Sequence, residues 1–251
     1  MSSRTPPFPG VAHADSEPAQ ERLLAAAVRL TRELSTARPV LGILRGWGRA
    51  DRERARALRE HLSHQGIRGM ELSPVPEAGE RHRSPQGRQR PRVHLLVHVG
   101  GSQYTQALRA AALWNLPLLI EPPLHEEPGT LTVHSGHRRP VIGVHLPGDA
   151  LDIAVQHAAI TSLQPHPGSA YLLLDNEKLT APADRPLDIS LKADGTLQVD
   201  SDAFGTRRVR RLRYERPWGV YRLDIDGTPA HDVRAPLRIE PMPDRLHLLH
   251  P

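Results

Sequence analysis

The sequence predicts an α/β half built on a parallel sheet, followed by an antiparallel half rich in β-strands. Two patterns support this prediction. Over the first 120 residues, short apolar segments alternate with segments of helical periodicity, an order typical of a parallel sheet covered by helices. In the second half, short strands follow one another between turns, an order typical of antiparallel sheets. We expect the first domain to cover 17–135 and the second to cover 136–251.

The N-terminal elements follow from the spacing of apolar residues. Residues 1–16 are polar and rich in proline, and we expect a disordered tail there. Apolar residues at helical spacing predict an amphipathic helix over 17–36, which ends before Pro39. The next predicted elements are a strand, a helix, a strand and a mobile loop at 40–44, 51–65, 67–72 and 73–92. The first three of these form a βαβ unit.

The clearest strand covers 93–99 and leads through Gly100 and Gly101 into a predicted helix at 103–114. A further short strand is predicted at 117–120. In the second half we expect one helix, at 149–160, and Asp194-Gly195 and Asp226-Gly227 indicate hairpin turns. The remaining predicted strands are 131–133, 141–146, 170–174, 187–192, 196–199, 209–214, 220–225, 237–239 and 246–249.

Composition excludes several classes of protein. The absence of cysteine excludes disulfide scaffolds, thiolate metal sites and a cysteine nucleophile. No apolar segment approaches the roughly 20 residues of a membrane span, so we expect a soluble, cytoplasmic protein. The net charge of +5 comes almost entirely from arginine, which is consistent either with an ordinary solvated surface or with an anionic partner. Aromatic residues make up only 4% of the chain, which disfavours a stacking surface for nucleic acid.

The segment after the clearest strand is the strongest candidate for a binding site. A strand that leads through glycines into a helix presents backbone N–H groups and the positive end of a helix dipole, which together favour phosphate. Glycine allows close approach, because it has no Cβ to hold a phosphate away from the backbone. Ser102 and Thr105 add hydroxyl donors. The alternative interpretation is a tight turn in which Ser102 caps the helix.

Taken together, the βαβ unit, the Gly100-Gly101 loop and the segment 220–251 resemble a family. The sequence is similar to the superfamily of diacylglycerol, sphingosine and NAD kinases, and most similar to bacterial diacylglycerol-kinase-like lipid kinases. The resemblance implies a Rossmann-like N-terminal domain and a C-terminal β-sandwich, with residues 225–251 returning to the first domain. It also implies ATP and Mg²⁺ as ligands, and transfer of the γ-phosphate to a lipid hydroxyl.

The sequence departs from this family at the acidic positions. The family's loop reads Gly-Gly-Asp-Gly-Thr, whereas Ser102 stands here in place of the catalytic aspartate, and Thr228 replaces the glutamate of a later Asp-Gly-Glu motif. Neither replacement can serve as an anionic Mg²⁺ ligand. An early phosphate loop is replaced by a segment that contains Gly46 and Gly48. We therefore predict a nucleotide site without catalytic residues or metal ligands, formed by Gly46, Gly48, Gly100, Gly101, Ser102 and Thr105.

Three functional hypotheses remain open from the sequence: a residual kinase, a non-enzymatic module for nucleotide or phosphate, and a basic protein that contacts anionic membrane through the arginine cluster 207–213. For that cluster the alternative is an edge strand whose charges prevent aggregation. The spacings His94/His98 and His134/His137 suggest zinc only weakly. A carboxylate from elsewhere in the chain would restore magnesium binding, and the candidates are Glu121, Glu126, Glu127, Asp226 and Glu240.

Overall fold

A computed structural model describes residues 16–34, 36–72, 91–100, 104–120, 138–148, 150–162, 168–217, 219–234 and 236–251. Four predicted features lie wholly or largely outside these ranges: the N-terminal tail, most of the loop at 73–92, the strand at 131–133 and the His134/His137 pair. Within the described residues, no helix combines the length and the apolar character that crossing a bilayer would need.

Three helices are described: α1 (Ser16–Glu33), α2 (Arg49–His64) and α3 (Tyr104–Trp114). The first eight strands are β1 (Val40–Arg45), β2 (Arg68–Leu72), β3 (Leu95–Val99), β4 (Leu118–Leu119), β5 (Arg138–Leu146), β6 (Ala150–Ala154), β7 (His157–Ser162) and β8 (Ser169–Leu174). The others are β9 (Glu177–Pro182), β10 (Leu187–Leu191), β11 (Leu197–Ser201), β12 (Gly205–Val209), β13 (Leu212–Glu215), β14 (Tyr221–Ile225), β15 (Thr228–Val233) and β16 (Leu237–Leu249). The predicted βαβ unit is therefore confirmed as β1, α2 and β2.

The larger sheet is mixed, and its parallel part lies at one side. Strands β2, β1, β3, β4 and β16 are neighbours in that order, and every pairing among them is parallel. Apolar residues alternate along the buried strands: Leu95 and Val97 pack towards α1 and α2, while Leu96 packs towards α3. Helices thus cover both faces of the parallel strands, as the alternation of strands and helices in the sequence predicts.

The long strand β16 joins the parallel strands to the antiparallel strands of the same sheet. Its end pairs with β4, through Leu248 with Leu118 and Leu249 with Leu119. Its earlier part pairs antiparallel with β5 and β13, and β13 continues the sheet to β8 and β9. The predicted strands at 237–239 and 246–249 are therefore one continuous element with an irregularity between Met242 and Leu246.

A second sheet is antiparallel throughout and has the order β12-β11-β10-β7-β14-β15 among the described strands. It packs against the antiparallel part of the first sheet over a large apolar core, in which Tyr214 and Tyr221 meet edge to face at 4.9 Å. The overall architecture is thus a mixed sheet with few helices and a second antiparallel sheet, in agreement with the predicted α/β and β fold class.

Two predicted elements are wrong. The helix expected at 149–160 is instead two strands, β6 in the larger sheet and β7 in the second sheet, joined by a turn, because Ile153, Val155 and Ile160 bury their side chains in the two apolar cores. The single strand expected at 209–214 is two strands that belong to different sheets, since the chain turns at Arg210 and Arg211. In both cases the sequence pattern is local, whereas the outcome depends on partners far along the chain.

Candidate functional site

The carboxyl ends of the five parallel strands lie along one edge of the larger sheet. Arg45, the last residue of β1, lies beside Val99, the last residue of β3. Strands β4 and β16 extend the same edge. In open α/β sheets this edge is where ligands bind, because the loops that leave the strands form a crevice there.

Asp51 is the carboxylate that faces the glycines at this edge. It lies in the first turn of α2 and is only 8% exposed. A Cβ placed on Gly48, the residue that precedes the helix, would lie 3.3 Å from Oδ2 of Asp51. A Cβ placed on Gly100 would lie 2.8 Å from Cγ of Asp51 and closer still to Oδ1. The Asp51 carboxylate therefore occupies the space between the two glycines.

The position of Asp51 has a local cause. A carboxylate in the first turn of a helix interacts favourably with the positive end of the helix dipole. Gly100 has a φ of +109°, a conformation that L-residues with side chains rarely adopt. Glycine at this position permits both the backbone turn and the close approach of the carboxylate. The β1–α2 loop and the β3–α3 loop are thus held against each other through Asp51.

The predicted site residues are only partly brought together. Gly48 and Gly100 meet at Asp51, as described above. Gly46 is buried, and its carbonyl accepts a hydrogen bond of 3.1 Å from the guanidinium of Arg45. Thr105 is exposed in the first turn of α3. Gly101 and Ser102 lie outside the described residues, so their part in the site stays a prediction.

Sequence reasoning missed Asp51, and it considered other carboxylates instead. A signal for Asp51 was present, because an acidic residue three positions after a helix cap is a known first-turn pattern. The carboxylate of Asp226 accepts hydrogen bonds from the backbone N–H groups of Val155, Gln156 and His157 at 2.8–3.1 Å. It therefore fixes the β6–β7 turn. Glu121, Glu126 and Glu127 lie outside the described residues.

The other described candidate, Glu240, is part of a surface ion-pair cluster. It lies 3.0 Å from Nε2 of His145 and 3.3 Å from the guanidinium groups of Arg211 and Arg238. Burial lowers the pKa of His145, and the charge of Arg238 lowers it further, although Glu240 opposes both effects. The Glu240 carboxylate is therefore paired with side chains of the antiparallel half.

Three of the five arginines in the cluster at 207–213 pair with acidic side chains. Arg208 pairs with Asp194 at 3.3 Å, and Arg213 pairs with Glu215 at 3.5 Å. Both arginines are more than half exposed, so each pair contributes little to stability. Contact of this cluster with an anionic membrane stays a prediction from the sequence.

Metal binding by protein ligands alone has no support in the described part of the chain, where no group of three or more acidic or histidine residues could hold an ion. His94, one of the two histidines whose spacing only weakly suggested zinc, accepts a hydrogen bond of 3.1 Å from the backbone N–H of Val40. The donor set at the sheet edge nevertheless fits a magnesium nucleotide. Mg²⁺ is usually held by one or two carboxylates together with substrate phosphates, and Asp51 supplies one carboxylate.

A buried ionic network connects α3, which follows the glycine loop, to the antiparallel half. The guanidinium of Arg109 pairs with Oδ1 of Asp152 and donates a hydrogen bond of 2.8 Å to the carbonyl of Ile153. Oδ2 of Asp152 lies 2.7 Å from Nε2 of His231. Burial raises the pKa of Asp152, but the His231 hydrogen bond and the Arg109 charge outweigh it, so the pKa lies below its ordinary value. Asp152 is therefore ionised at neutral pH.

Comparison with known proteins identifies the fold class. No family model matches the sequence, and no curated protein matches it. Among solved structures, the chain is similar to the crystal structure of yeast NADH kinase complexed with NADH. The match has a TM-score of 0.57 and 15% sequence identity, and it covers 86% of this chain and 84% of the yeast chain. The chain thus has an NAD kinase-like fold, and the fold is what this similarity establishes.

Proposed function

We propose that the chain binds a nucleoside triphosphate as its magnesium complex at the carboxyl edge of the parallel sheet, with Asp51 as the acidic group of the site. The observation that carries this proposal is the buried Asp51 carboxylate between Gly48 and Gly100. The similar yeast structure, which holds NADH, supports a nucleotide as the class of ligand. The helices α2 and α3 begin beside this edge, and their positive ends favour phosphate groups.

Electrostatics makes the metal central to this proposal. Two like charges 4 Å apart near a protein surface repel each other by about 4 kcal/mol. Asp51 therefore disfavours a triphosphate without a cation. Bound Mg²⁺ supplies positive charge that neutralises the phosphate oxygens. The structure thus favours magnesium-dependent binding over the metal-free phosphate module that the glycines alone suggest.

The proposal includes phosphoryl transfer only at a reduced rate. The family that the sequence resembles has an aspartate where this chain has Ser102, and loss of a general base typically costs a factor of about 10²–10⁴ in rate. Asp51 supplies a carboxylate, but it lies in the first turn of α2 and not in the loop after β3, where the family's aspartate stands. The acceptor expected from the sequence resemblance, a lipid hydroxyl, stays a prediction.

Calorimetric titration with ATP tests the proposal. We expect wild-type protein to bind ATP at least tenfold more tightly with Mg²⁺ than with EDTA, a difference of about 1.4 kcal/mol. Asp51→Asn should abolish that difference, because it removes the metal ligand and also relieves the repulsion of metal-free ATP.

The matched control is Glu53→Gln. Glu53 lies two residues further along α2, is exposed and pairs with Arg49 at 2.8 Å. This variant should retain the wild-type dependence on magnesium. Wild-type protein whose ATP affinity does not change with Mg²⁺, or an Asp51→Asn variant that keeps the full magnesium effect, would overturn the proposal.

A further inference from the structure

The end of β16 places a histidine at the same sheet edge. The backbone N–H of Ile120, just after β4, donates to the carbonyl of Leu249 at 3.1 Å. The next residue, His250, places Nδ1 3.0 Å from the carbonyl of Ile120. A carbonyl only accepts hydrogen bonds, so Nδ1 carries the hydrogen and the contact fixes both the tautomer and the orientation of the ring.

The opposite ring nitrogen of His250 is then a hydrogen-bond acceptor. Its Nε2 atom is buried and has no hydrogen-bond partner in the structure as described. Burial lowers the pKa of His250; the Ile120 contact opposes this effect, and the positive charge of Arg139 adds to it. The ring is therefore neutral at pH 7, with an unused lone pair on Nε2.

A second buried polar atom, on Tyr104, is also influenced by the charge of Arg139. Tyr104 begins α3, and its hydroxyl group is buried without a hydrogen-bond partner in the described part of the chain. Burial raises the pKa of Tyr104, while the charge of Arg139 lowers it. Tyr104 packs against the apolar cluster that contains Leu246 and Leu248, and Arg139 lies opposite Leu246 in the pairing of β5 with β16, so both side chains and that of His250 lie around the end of β16. Buried polar groups in folded proteins nearly always have partners, so two atoms without a partner near the end of β16 point to a bound molecule there.

We infer that Tyr104, Arg139 and His250 form a binding subsite for a small molecule that carries a phosphate group close to a hydroxyl. The guanidinium attracts the phosphate, Nε2 of His250 accepts a hydrogen bond from the hydroxyl, and the Tyr104 hydroxyl donates to a phosphate oxygen. The idea that this subsite holds the molecule that accepts the phosphoryl group rests on the proposed function. The binding chemistry of the subsite does not depend on it. This chemistry occurs in both the ribose phosphate of a nucleotide and the glycerol phosphate of a lipid headgroup.

Calorimetry with ribose 5-phosphate and with glycerol 3-phosphate, both without ATP and Mg²⁺, tests the inference and distinguishes the two sources. We expect wild-type protein to bind at least one of these compounds at millimolar concentration or below. His250→Asn keeps a donor for the Ile120 carbonyl but removes Nε2, and Tyr104→Phe removes only a hydroxyl. We expect these variants and Arg139→Gln each to weaken binding, His250→Asn and Arg139→Gln by at least tenfold.

Matched controls are His247→Asn, in β16 three residues before His250, and Tyr171→Phe, which alters an exposed tyrosine. Both should bind the probes as wild type does. Imidazole ¹⁵N spectra of the wild-type protein provide a readout that needs no stable variant: the His250 signals should show the Nδ1–H tautomer, and the probe should shift Nε2.

The outcomes separate this inference from the proposed function. If Mg²⁺–ATP binds but neither phosphate compound does, or if the Nε2 signal of His250 does not move, the subsite is wrong and the nucleotide site stands. If a phosphate compound binds through Tyr104, Arg139 and His250 but ATP does not bind, the subsite stands and the nucleotide site is wrong. Binding that none of the three substitutions weakens would also overturn the inference.

Discussion

Among single residues, Gly100 is the most constrained position at the candidate site. Its φ of +109° alone disfavours any side chain, and the Asp51 carboxylate fills the space that a Cβ would need. Gly66, two residues after the end of α2, also has positive φ, at +72°, but no atom lies within 4 Å of its Cβ position. A comparison of substitutions at the two glycines therefore separates the cost of backbone strain from the cost of steric conflict.

Gly100→Ala should cost more stability than Gly66→Ala. Left-handed backbone alone costs about 1–2 kcal/mol, which is the effect expected at Gly66. At Gly100 the conflict with Asp51 should add about 1–3 kcal/mol, a range typical of overpacking. Urea unfolding of the two variants measures both values. Equal losses would mean that the Asp51 carboxylate moves aside at no cost, and would weaken its assignment to a fixed position in the site.

The sequence predicted Gly100 but not Asp51, for a physical reason. The strand, the glycines and the following helix are consecutive in the chain, so their pattern can be read locally. Asp51 reaches Gly100 only because β1 and β3 are neighbours in the sheet. That adjacency is a long-range pairing, which no local periodicity encodes.

At the scale of elements, the Arg109–Asp152–His231 network is the buried ionic contact between α3 and the antiparallel half. It connects α3 to β6 and to β15, and Arg109 and Asp152 are almost fully buried. A buried charge that loses its partner is costly, because the remaining charge is neither solvated nor paired. This network therefore holds the helix that follows the glycine loop.

Asp152→Asn should lower the free energy of unfolding by about 3–5 kcal/mol at pH 7. Because the pKa of Asp152 is lowered in the folded protein, its contribution is present above the unfolded pKa of about 3.9 and is lost as the pH falls through the folded pKa. The difference between wild type and variant should therefore shrink in strongly acidic urea titrations. Glu53→Gln, which breaks an exposed pair, is the control and should leave stability unchanged. A variant as stable as wild type at pH 7 would contradict this account of the network.

The β6–β7 turn, which joins two strands of different sheets, shows why element prediction failed in the same region. Alanines and aliphatic residues at 149–160 are compatible with a helix, and the sequence alone offers no reason to prefer a turn. In the structure, the Asp226 carboxylate binds three consecutive N–H groups at that turn. That carboxylate belongs to the β14–β15 hairpin, so the turn depends on tertiary structure rather than on local propensity.

For the whole molecule, the larger outline was easier to predict than its details. The parallel half and the short strands of the second half follow from patterns that span a few residues each. The sharing of one sheet by both halves depends on β16, whose strand character is interrupted by prolines in the sequence. Because β16 belongs to this shared sheet, the edge at which the parallel strands end includes the end of a strand from the second half.

Acidification should destabilise the whole molecule in the range set by its partly buried histidines. Burial and nearby arginine charges lower the pKa of His145, His247 and His250 below 6.5. The unfolded chain then binds protons that the folded protein does not, so stability falls as the pH drops below about 6.5. Urea unfolding at pH 7.5 and at pH 5.5 measures this loss, and a variant carrying His145→Gln and His247→Gln should lose less. Equal or greater stability at pH 5.5 would show that these rings do not titrate as described.

The pairing of β16 with β4 also has a consequence for the order in which the chain can fold. Strand β4 has two residues and lies between β3 and β16, so without β16 it would be a very short strand with an open edge. During synthesis, residues 40–119 leave the ribosome well before 237–249 are made. The sheet of the nascent N-terminal half is therefore incomplete until β16 has been made. Contacts between residues so far apart in the sequence slow folding.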